Sequence, residues 1–390
     1  MRASSPQTPL ADVADIFNGK TPSKADQRES GYPVLKIKDV DEGGRFRGRF
    51  DSFVDNGYAE TFSAKTVKAG DTLILNAAHN ADYVGSKKFF ASHDVEGALA
   101  TGEWLIVRPD PEKLDALFAH HWLAADRAGR QIRDLVKGIH LYPKDVARLE
   151  IPLPPLDEQR RIAAILDKAD ALRRKRKRAL ELLDTLTQSI YLEMFEDEQN
   201  VVPLAEVCSR ITDGTHQAPN WADQGIPFLF VSNVRNQNIT FETKKFVSLE
   251  EYGRLTKSAP IEAGDVLYTA VGSYGNAAVV SGVERFVFQR HIAHIKPIVD
   301  RIDSTFLSYA LESPALKLQA DKAARGIAQK TVTLESLKQF LIPLPKRQHQ
   351  RIFVERVGKM RRLVSVMTTM KLELEDIFAS LQHRAFSGQL

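Results

Sequence analysis

The sequence predicts an α+β protein: two similar globular domains joined by two long helices, which pair as an antiparallel coiled coil with pseudo-twofold symmetry. Two observations predict it. First, the chain is written twice. Gly31-Tyr32-Pro33-Val34-Leu35, leading to Val40, returns as Gly225-Ile226-Pro227-Phe228-Leu229, leading to Val234, an offset of 194. The same offset carries Pro9-Leu10-Ala11-Asp12-Val13 onto Pro203-Leu204-Ala205-Glu206-Val207, Tyr58 onto Tyr252, and Ala69-Gly70-Asp71-Thr72-Leu73 onto Ala263-Gly264-Asp265-Val266-Leu267. Solenoid units repeat every ~20–50 residues, so a repeat this long is a duplicated domain. Second, each copy closes on Ile-Pro-Leu-Pro (Ile151 to Pro154, Ile342 to Pro345) and runs into a helical segment with heptad apolar spacing. Two similar modules on one chain imply two similar tasks, the pattern of a protein that reads a two-part target.

The elements follow in order, over segments 1–150, 151–200, 201–341 and 342–390. In the first, the apolar runs Val34-Leu35-Lys36-Ile37, Thr72-Leu73-Ile74-Leu75 and Trp104-Leu105-Ile106-Val107 lie between Gly and Asp punctuation and read as strands. A helix is expected from Asp110-Pro111 through Leu114, Leu117, Phe118 and Leu123, with an Asp cap and proline in its first turn. The third segment repeats that plan, with strands near 227–231, 266–269 and 286–296 and a helix near 304–312.

Residues 156–195 contain no Pro or Gly. Ile162, Ala169, Leu183 and Ile190 form one heptad register, broken only by Arg176, and Ile165, Leu172, Ala179 and Leu186 form the other. An offset of 191 carries these onto Phe353, Met360, Met367, Leu374 and Leu381, and onto Leu363, Met370 and Ile377. Each helix is about 55–60 Å long at 1.5 Å per residue. Neither seam is apolar enough for a central helix, so each needs a partner; the other helix is nearest to hand, and an antiparallel pairing puts one domain at each end. Two separate amphipathic helices, each packed on its own domain, are the alternative.

The bulk numbers fit a folded protein of two domains. A net charge of +4 is too mild to single out nucleic acid. The single Cys208 excludes an intramolecular disulfide and an all-cysteine zinc site, and fits a reducing compartment. Met1 to Pro9 is polar and no apolar run approaches a membrane span, so the chain reads as intracellular.

A globular domain that ends in Ile-Pro-Leu-Pro-Pro-Leu-Asp-Glu-Gln-Arg-Arg-Ile (Ile151 to Ile162), enters a long helix and then repeats resembles the specificity subunit of type I restriction–modification systems. The resemblance spans essentially the whole chain. Gly19-Lys20-Thr21-Pro22, Gly326-Ile327-Ala328-Gln329-Lys330-Thr331-Val332 and the closing Ala385-Phe386-Ser387-Gly388-Gln389-Leu390 share it. One departure is clear: the second junction reads Lys346-Arg347-Gln348-His349-Gln350, without the Pro and Glu of the first. If that motif contacts a partner symmetrically, the second contact is altered. The resemblance implies two target-recognition domains, each reading a few base pairs of a bipartite double-stranded DNA site, with the helices as a ruler. It also implies two methyltransferase (modification) subunits as partners, motor–nuclease (restriction) subunits in the full complex, a bacterial or archaeal cytoplasm, and no catalysis or cofactor of the chain's own.

The residues agree with a binder. There is no Gly-x-Gly, and Pro154-Pro155 sits between leucines, so the cofactor loop and the Pro-Pro-aromatic tetrad of an amino-methyltransferase are missing. Gly43 to Arg49 lacks the Lys-Ser/Thr of a phosphate loop. Asp110 to Lys113 reads as a helix start rather than a nuclease cluster, and neighbouring His120 and His121 point to different sides of a helix. A coiled-coil scaffold that binds proteins and touches DNA only incidentally stays open as the alternative function.

DNA reading needs cations for phosphates and forked polar groups for base edges. The first domain offers Lys20, Thr21, Lys24, Lys36 and Lys38, then Arg45, Arg47 and Arg49 on one face of an extended ribbon, then His79, Asn80, Lys87 and Lys88. In the second domain Lys36 and Lys38 become Phe230 and Ser232, while Thr215, His216, Arg235, Asn236, Gln237, Asn238, Ser273, Tyr274, Asn276, Arg290, Gln329 and Lys330 are the candidates. Framework residues repeat while polar loop residues diverge, as expected of one scaffold reading two half-sites. Arg173 to Arg178 places six cations around the first helix, expected to stay unneutralised within the chain: a solvated face, a phosphate contact or a partner dock.

Overall fold

The computed structural model describes residues 6–216, 218–282, 284–326 and 329–390, with the backbone alone at 184–185. Residues 1–5 of the polar start, and Ile327 and Ala328 of the glycine-led motif, lie outside the described residues. The chain forms two compact units, Met1–Lys177 with Thr369–Leu390, and Arg178–Thr368.

In unit 1 a four-stranded antiparallel sheet runs in the order Ala14–Asn18, Trp104–Pro109, Thr72–Leu75, Lys88–Phe90. A smaller sheet orders Gln27–Arg28, Phe53–Val54, Tyr32–Leu35 and Leu99–Ala100, with the last pair parallel. Gln7–Pro9 pairs with Glu150–Pro152 and closes the unit. Unit 2 repeats both sheets and the closing strand pair. Its sheets order Cys208–Asp213, Ile292–Pro297, Val266–Thr269, Ala277–Val279, and Trp221–Ala222, Phe246–Val247, Ile226–Leu229, Val287–Phe288, and Val201–Pro203 pairs with Leu341–Pro343. The duplication read from the sequence is a duplication of topology.

The repeated Ala-Gly-Asp motif has a structural reason. Gly70 and Gly264 hold φ near +90°, which favours glycine, and turn the chain into the sheet. The following Asp71 and Asp265 accept from the main-chain N–H three residues back, Lys68 and Glu262, at 2.8 Å each. Both carboxylates are buried and paired, Asp71 with Arg108 and Asp265 with His294 and Lys296.

Three sequence expectations shift. The first helix starts at Ala116, because the Asp115 carboxylate caps Phe118 N–H at 2.9 Å, while Asp110 to Lys113 forms a turn before it. The strand expected over 34–37 ends at Leu35, where Ile37–Asp39 turns as a 3₁₀ helix. The run 286–296 is two strands, one parallel and one antiparallel, broken at 289–291.

Both long helices are 40 residues, Leu156–Phe195 and Arg347–Phe386, or about 60 Å. Their ends belong to the unit cores. In unit 1, Ile162, Ala163 and Leu166 pack with Phe118, Trp122, Phe378 and Ala385. Arg161 donates to the Leu390 main-chain oxygen at 2.9 Å and Arg173 to Glu375, so the two helices run antiparallel there. In unit 2, Tyr191 and Phe195 close on Phe353 with ring centroids 5.7 and 5.6 Å apart.

The packed stripe corrects the heptad reading. One register holds: Ile162, Leu183, Phe353, Met360, Met367 and Leu374 are buried or half-buried. The other does not. Its companion lies four residues on, not three: Leu166 and Arg173 on the first helix, Val357, Val364, Lys371, Phe378 and Ala385 on the second. Leu172, Leu186, Leu363, Met370 and Ile377 are exposed, Leu172 by 57%, and Ile165 is half-buried. The sequence carries apolar residues on two sides of each helix, and the large rings of Phe118, Phe353 and Phe378 decide which side turns inward. The basic run is also partly neutralised: Arg173 pairs with Asp170 and Glu375, and Arg174 with Asp170 at 2.6 Å. Among the described residues Lys175 and Lys177 have no carboxylate partner.

The Gln of the junction motif is a buried brace. Gln159 Nε2 donates to the carbonyls of Pro154 (2.8 Å) and Lys113 (3.0 Å), and its Oε1 accepts from Asp115 N–H (2.8 Å). Gln350 does the same with Pro345 (2.9 Å), Arg301 (3.4 Å) and Asp303 (2.8 Å). Pro155 and Glu158, the residues that the second junction replaces by Lys346 and His349, leave this brace unchanged.

Candidate nucleic-acid interface

One end of each unit is a cluster of loops stitched together by main-chain hydrogen bonds. In unit 1, Gly19 lies so close to the strand below that a Cβ there would sit 2.3 Å from the carbonyl oxygens of Ala100 and Thr101. Only glycine fits that approach. Lys20 N–H then donates to Ala100 O at 2.7 Å, and Thr21 Oγ1 accepts from Gly102 N–H at 2.8 Å. Buried Asn76 ties in a third loop, donating its side-chain amide to Asn18 Oδ1 (2.9 Å) and Gly102 O (3.0 Å). Leu141 N–H donates to Asn76 O at 2.8 Å, and Ala77 pairs with His140. Lys20, Thr21, His79, Asn80, Lys137 and His140 are exposed together at this end, with Lys24 farther along the first loop.

Unit 2 builds the same end. Gly214 takes the place of Gly19, with a would-be Cβ 2.2 Å from Phe288 O. Arg290 N–H donates to Thr215 O (3.2 Å), Ala270 N–H to His291 O (2.9 Å), Gly272 N–H to Lys330 O (2.9 Å) and Val332 N–H to Ala270 O (2.8 Å). This gathers Thr215, His216, Ser273, Arg290, Gln329 and Lys330, six of the sequence candidates, on one surface. His216 pairs with Asp213 at 2.9 Å beside a cavity of about 370 Å³.

Other candidates take structural roles. Tyr274 is buried and donates its hydroxyl to Asp321 at 2.7 Å. Asn276 closes its own turn, donating to Ser273 O at 2.9 Å. Asn236 and Gln237 both hold left-handed φ, 51° and 58°, as a two-residue hairpin turn between Val234–Arg235 and Asn238–Ile239. Asn tolerates that geometry but Gln does so poorly; Gln237 is held by exchanging two hydrogen bonds with Ser308, at 2.6 and 3.0 Å. Its amide is therefore engaged inside the unit, while Arg235, Asn236 and Asn238 stay exposed.

The ribbon expected for Arg45, Arg47 and Arg49 does not form. Gly44 and Gly48, with φ of 68° and 84°, break the alternation, and only Val40 and Phe46 bridge. Arg45 pairs with Asp41 (2.8 Å), Arg47 donates to Lys38 O (2.9 Å), and Lys38 and Arg49 share Asp51 (3.0 and 3.6 Å). Lys36 is half-buried as the cap of the 3₁₀ turn. Lys87 donates to Val40 O at 3.1 Å and pairs with Glu42. Lys88 lines a cleft of about 630 Å³ with His120, Asp167 and Arg174. Burial, with Arg133 nearby, pulls its ammonium down to about 8, and its Nζ donates to Gly85 O at 3.0 Å. Burial, then the neighbouring His121 and Lys88, holds His120 neutral, down to about 3.

Sequence reasoning missed Glu103, Lys137 and His140. The repeat held a signal for the last two: Leu141 matches Val332 at the offset of 191, which sets Lys137 to His140 where the glycine-led motif stands in the second copy. Among the described residues no group of three or more His, Cys, Asp or Glu is arranged to hold a metal, and no helix is long and apolar enough to cross a membrane.

The family model for the type I restriction modification DNA specificity domain matches the chain twice, over residues 7–182 and 196–376. The chain belongs to this family. The two matches correspond to the two copies of the fold, each with its closing strand pair and loop end. Among curated relatives, the type I restriction enzyme MjaVIII specificity subunit of Methanocaldococcus jannaschii is 22% identical, over 98% of this chain and 92% of its own length. The EcoBI specificity subunit of Escherichia coli is 22% identical, over 98% and 85%. A solved structure described as the basis of complex assembly and conformational transition of the type I restriction–modification system shares the fold, with a TM-score of 0.61 at 19% identity over 100% of this chain and 99% of that one. The type I restriction–modification S subunit from M. genitalium does so at 0.57 and 16% identity, over 99% and 96%. The two curated relatives are named specificity subunits, and the family's role is DNA sequence recognition by two domains.

Proposed function

We propose that this chain is the non-catalytic specificity subunit of a type I restriction–modification enzyme, acting on DNA in the cytoplasm. The loop end of each unit reads one half of a bipartite double-stranded site. One observation carries the reading: two loop ends share their main-chain hydrogen bonds and close-approach glycines, yet differ in almost every exposed polar residue. Lys20, Thr21, His79 and Asn80 stand at one, and Thr215, His216, Ser273, Arg290, Gln329 and Lys330 at the other. A scaffold kept constant with its polar tips changed fits two different base sequences.

The helices set the gap between half-sites and dock two methyltransferase subunits, with motor–nuclease subunits joining in the full complex. Readers on one side of a duplex need centres about 34–36 Å apart, within the compass of helices about 60 Å long. The unpacked register supports docking: Leu172, Leu186, Leu363, Met370 and Ile377 are exposed, as are Val366 and Leu372 on the second helix, and apolar rows of this kind mark protein contacts. Selection of bound duplexes from a random library, with the chain purified alongside a modification subunit, tests the reading. Two short conserved blocks around a fixed unread gap are expected. A stable complex that enriches no sequence would favour the scaffold reading instead.

A further inference from the structure

We propose that Glu103 is a specificity-determining residue of unit 1, whose carboxylate accepts a hydrogen bond from an exocyclic amino group and so selects cytosine or adenine at one position of that unit's half-site. The inference rests on the reading that the loop end faces DNA.

Glu103 stands in the middle of that end. Its carbonyl accepts from Asn76 N–H at 2.9 Å, so it sits between the Lys20–Thr21 loop and the His79–Asn80 loop. Its side chain is aimed. Thr21 Oγ1 accepts from Gly102 N–H at 2.8 Å, and its one hydroxyl proton donates to Glu103 Oε2 at 3.2 Å. That chain of donation fixes one carboxylate oxygen and leaves Oε1 with acceptor capacity to spare. Among the described residues no cation pairs with Glu103, although Lys20 and Lys137 are exposed at the same end.

A carboxylate that faces the negatively charged duplex is disfavoured unless it meets a donor. On the major-groove edge, cytosine N4 and adenine N6 are amino donors, whereas guanine O6 and N7 and thymine O4 are acceptors that would repel it. The same slot in unit 2 holds a different chemistry. His291 O accepts from Ala270 N–H at 2.9 Å, the bond that Glu103 makes in unit 1. Burial, then the neighbouring Arg290, lowers the His291 pKa, so its ring offers one donor and one acceptor. A scaffold position that holds Glu in one copy and His in the other is where two half-sites would be told apart.

The test uses the complex with the modification subunit, binding a panel of duplexes in which each base pair of the half-sites is changed in turn. Wild type should prefer C or A over G or T at one position on the order of tenfold. Glu103→Ala should flatten that position alone, and Glu103→Gln should shift it toward adenine, with the other half-site and the gap unchanged. If both variants keep the wild-type preference while Lys20→Ala/His79→Ala weakens binding, the inference fails and the DNA-facing reading stands. If the double variant also binds as wild type, that reading fails with it. Loss of binding to every duplex by Glu103→Gln, at unchanged thermal unfolding, would make Glu103 a support of the loop and overturn the inference as well.

Discussion

Replacing Gln350 with leucine keeps the volume of a fully buried side chain and removes all of its hydrogen bonds. The Asp303 N–H (2.8 Å) and the Pro345 carbonyl (2.9 Å) would be stranded inside unit 2, the Arg301 carbonyl, at 3.4 Å, would lose a weaker contact, and the half-buried Arg347, which donates to the Gln350 Oε1 at 2.8 Å, would turn to water. A stranded buried polar group costs about 1–3 kcal/mol, so two full losses and one partial loss come to roughly 3–5 kcal/mol. For a unit of this size that corresponds to a fall in Tm on the order of 10 °C. Urea unfolding measures the loss, and hydrogen exchange localises it to the start of the helix Ser304–Leu311, whose cap is Asp303. Gln159→Leu should do the same to unit 1, where buried Trp104 and Trp122 report on unfolding. Lys359→Ala, which breaks only an exposed pair with Glu355, should change nothing measurable. A loss below about 1 kcal/mol for either glutamine would refute the view that this residue braces the helix junction.

Three further outcomes follow from the same geometry. Lys88 has a folded-state pKa near 8 against an ordinary 10.5, so the unfolded chain binds the extra proton between those values. Stability should therefore rise with pH through that window; Lys88→Met should abolish the rise in Tm and be more stable than wild type at pH 7, and an unchanged slope would contradict the burial argument. Leu363→Ser and Leu372→Ser, both at exposed positions, should leave thermal unfolding unchanged and weaken binding of the modification subunit at least tenfold by biosensor titration; equal affinity would remove these rows from the docking surface. Seven residues inserted midway in both helices add about 10.5 Å, so the selected gap should lengthen by ~3 base pairs; an unchanged gap would sink the ruler.

Much of the architecture is legible in the sequence because the duplication samples it twice. Gly70-Asp71 and Gly264-Asp265 repeat because each turn needs a left-handed glycine and a buried carboxylate. Gln159 and Gln350 repeat because each closes a helix junction, even where Pro155 and Glu158 do not recur. The helix seam was half legible. Leu172 and Leu363 complete a heptad as well as Leu166 and Val357 do, and only the rings that the buried pair packs with, Phe118 in unit 1 and Phe306 in unit 2, both distant in sequence, choose between them. The interface was least legible, since a loop residue's partner lies far along the chain. Gln237 reads like a base reader until Ser308, 71 residues on, engages its amide. Glu103 reads like the start of the strand at Trp104 until Thr21 is seen to aim it.

The most direct test of bipartite reading is to co-express this chain with its modification subunit and map methylated adenines across the host genome. The account predicts a single motif of two short half-sites around one fixed gap, absent when the chain is omitted. A contiguous motif, or no new methylation from an assembled complex, would contradict it.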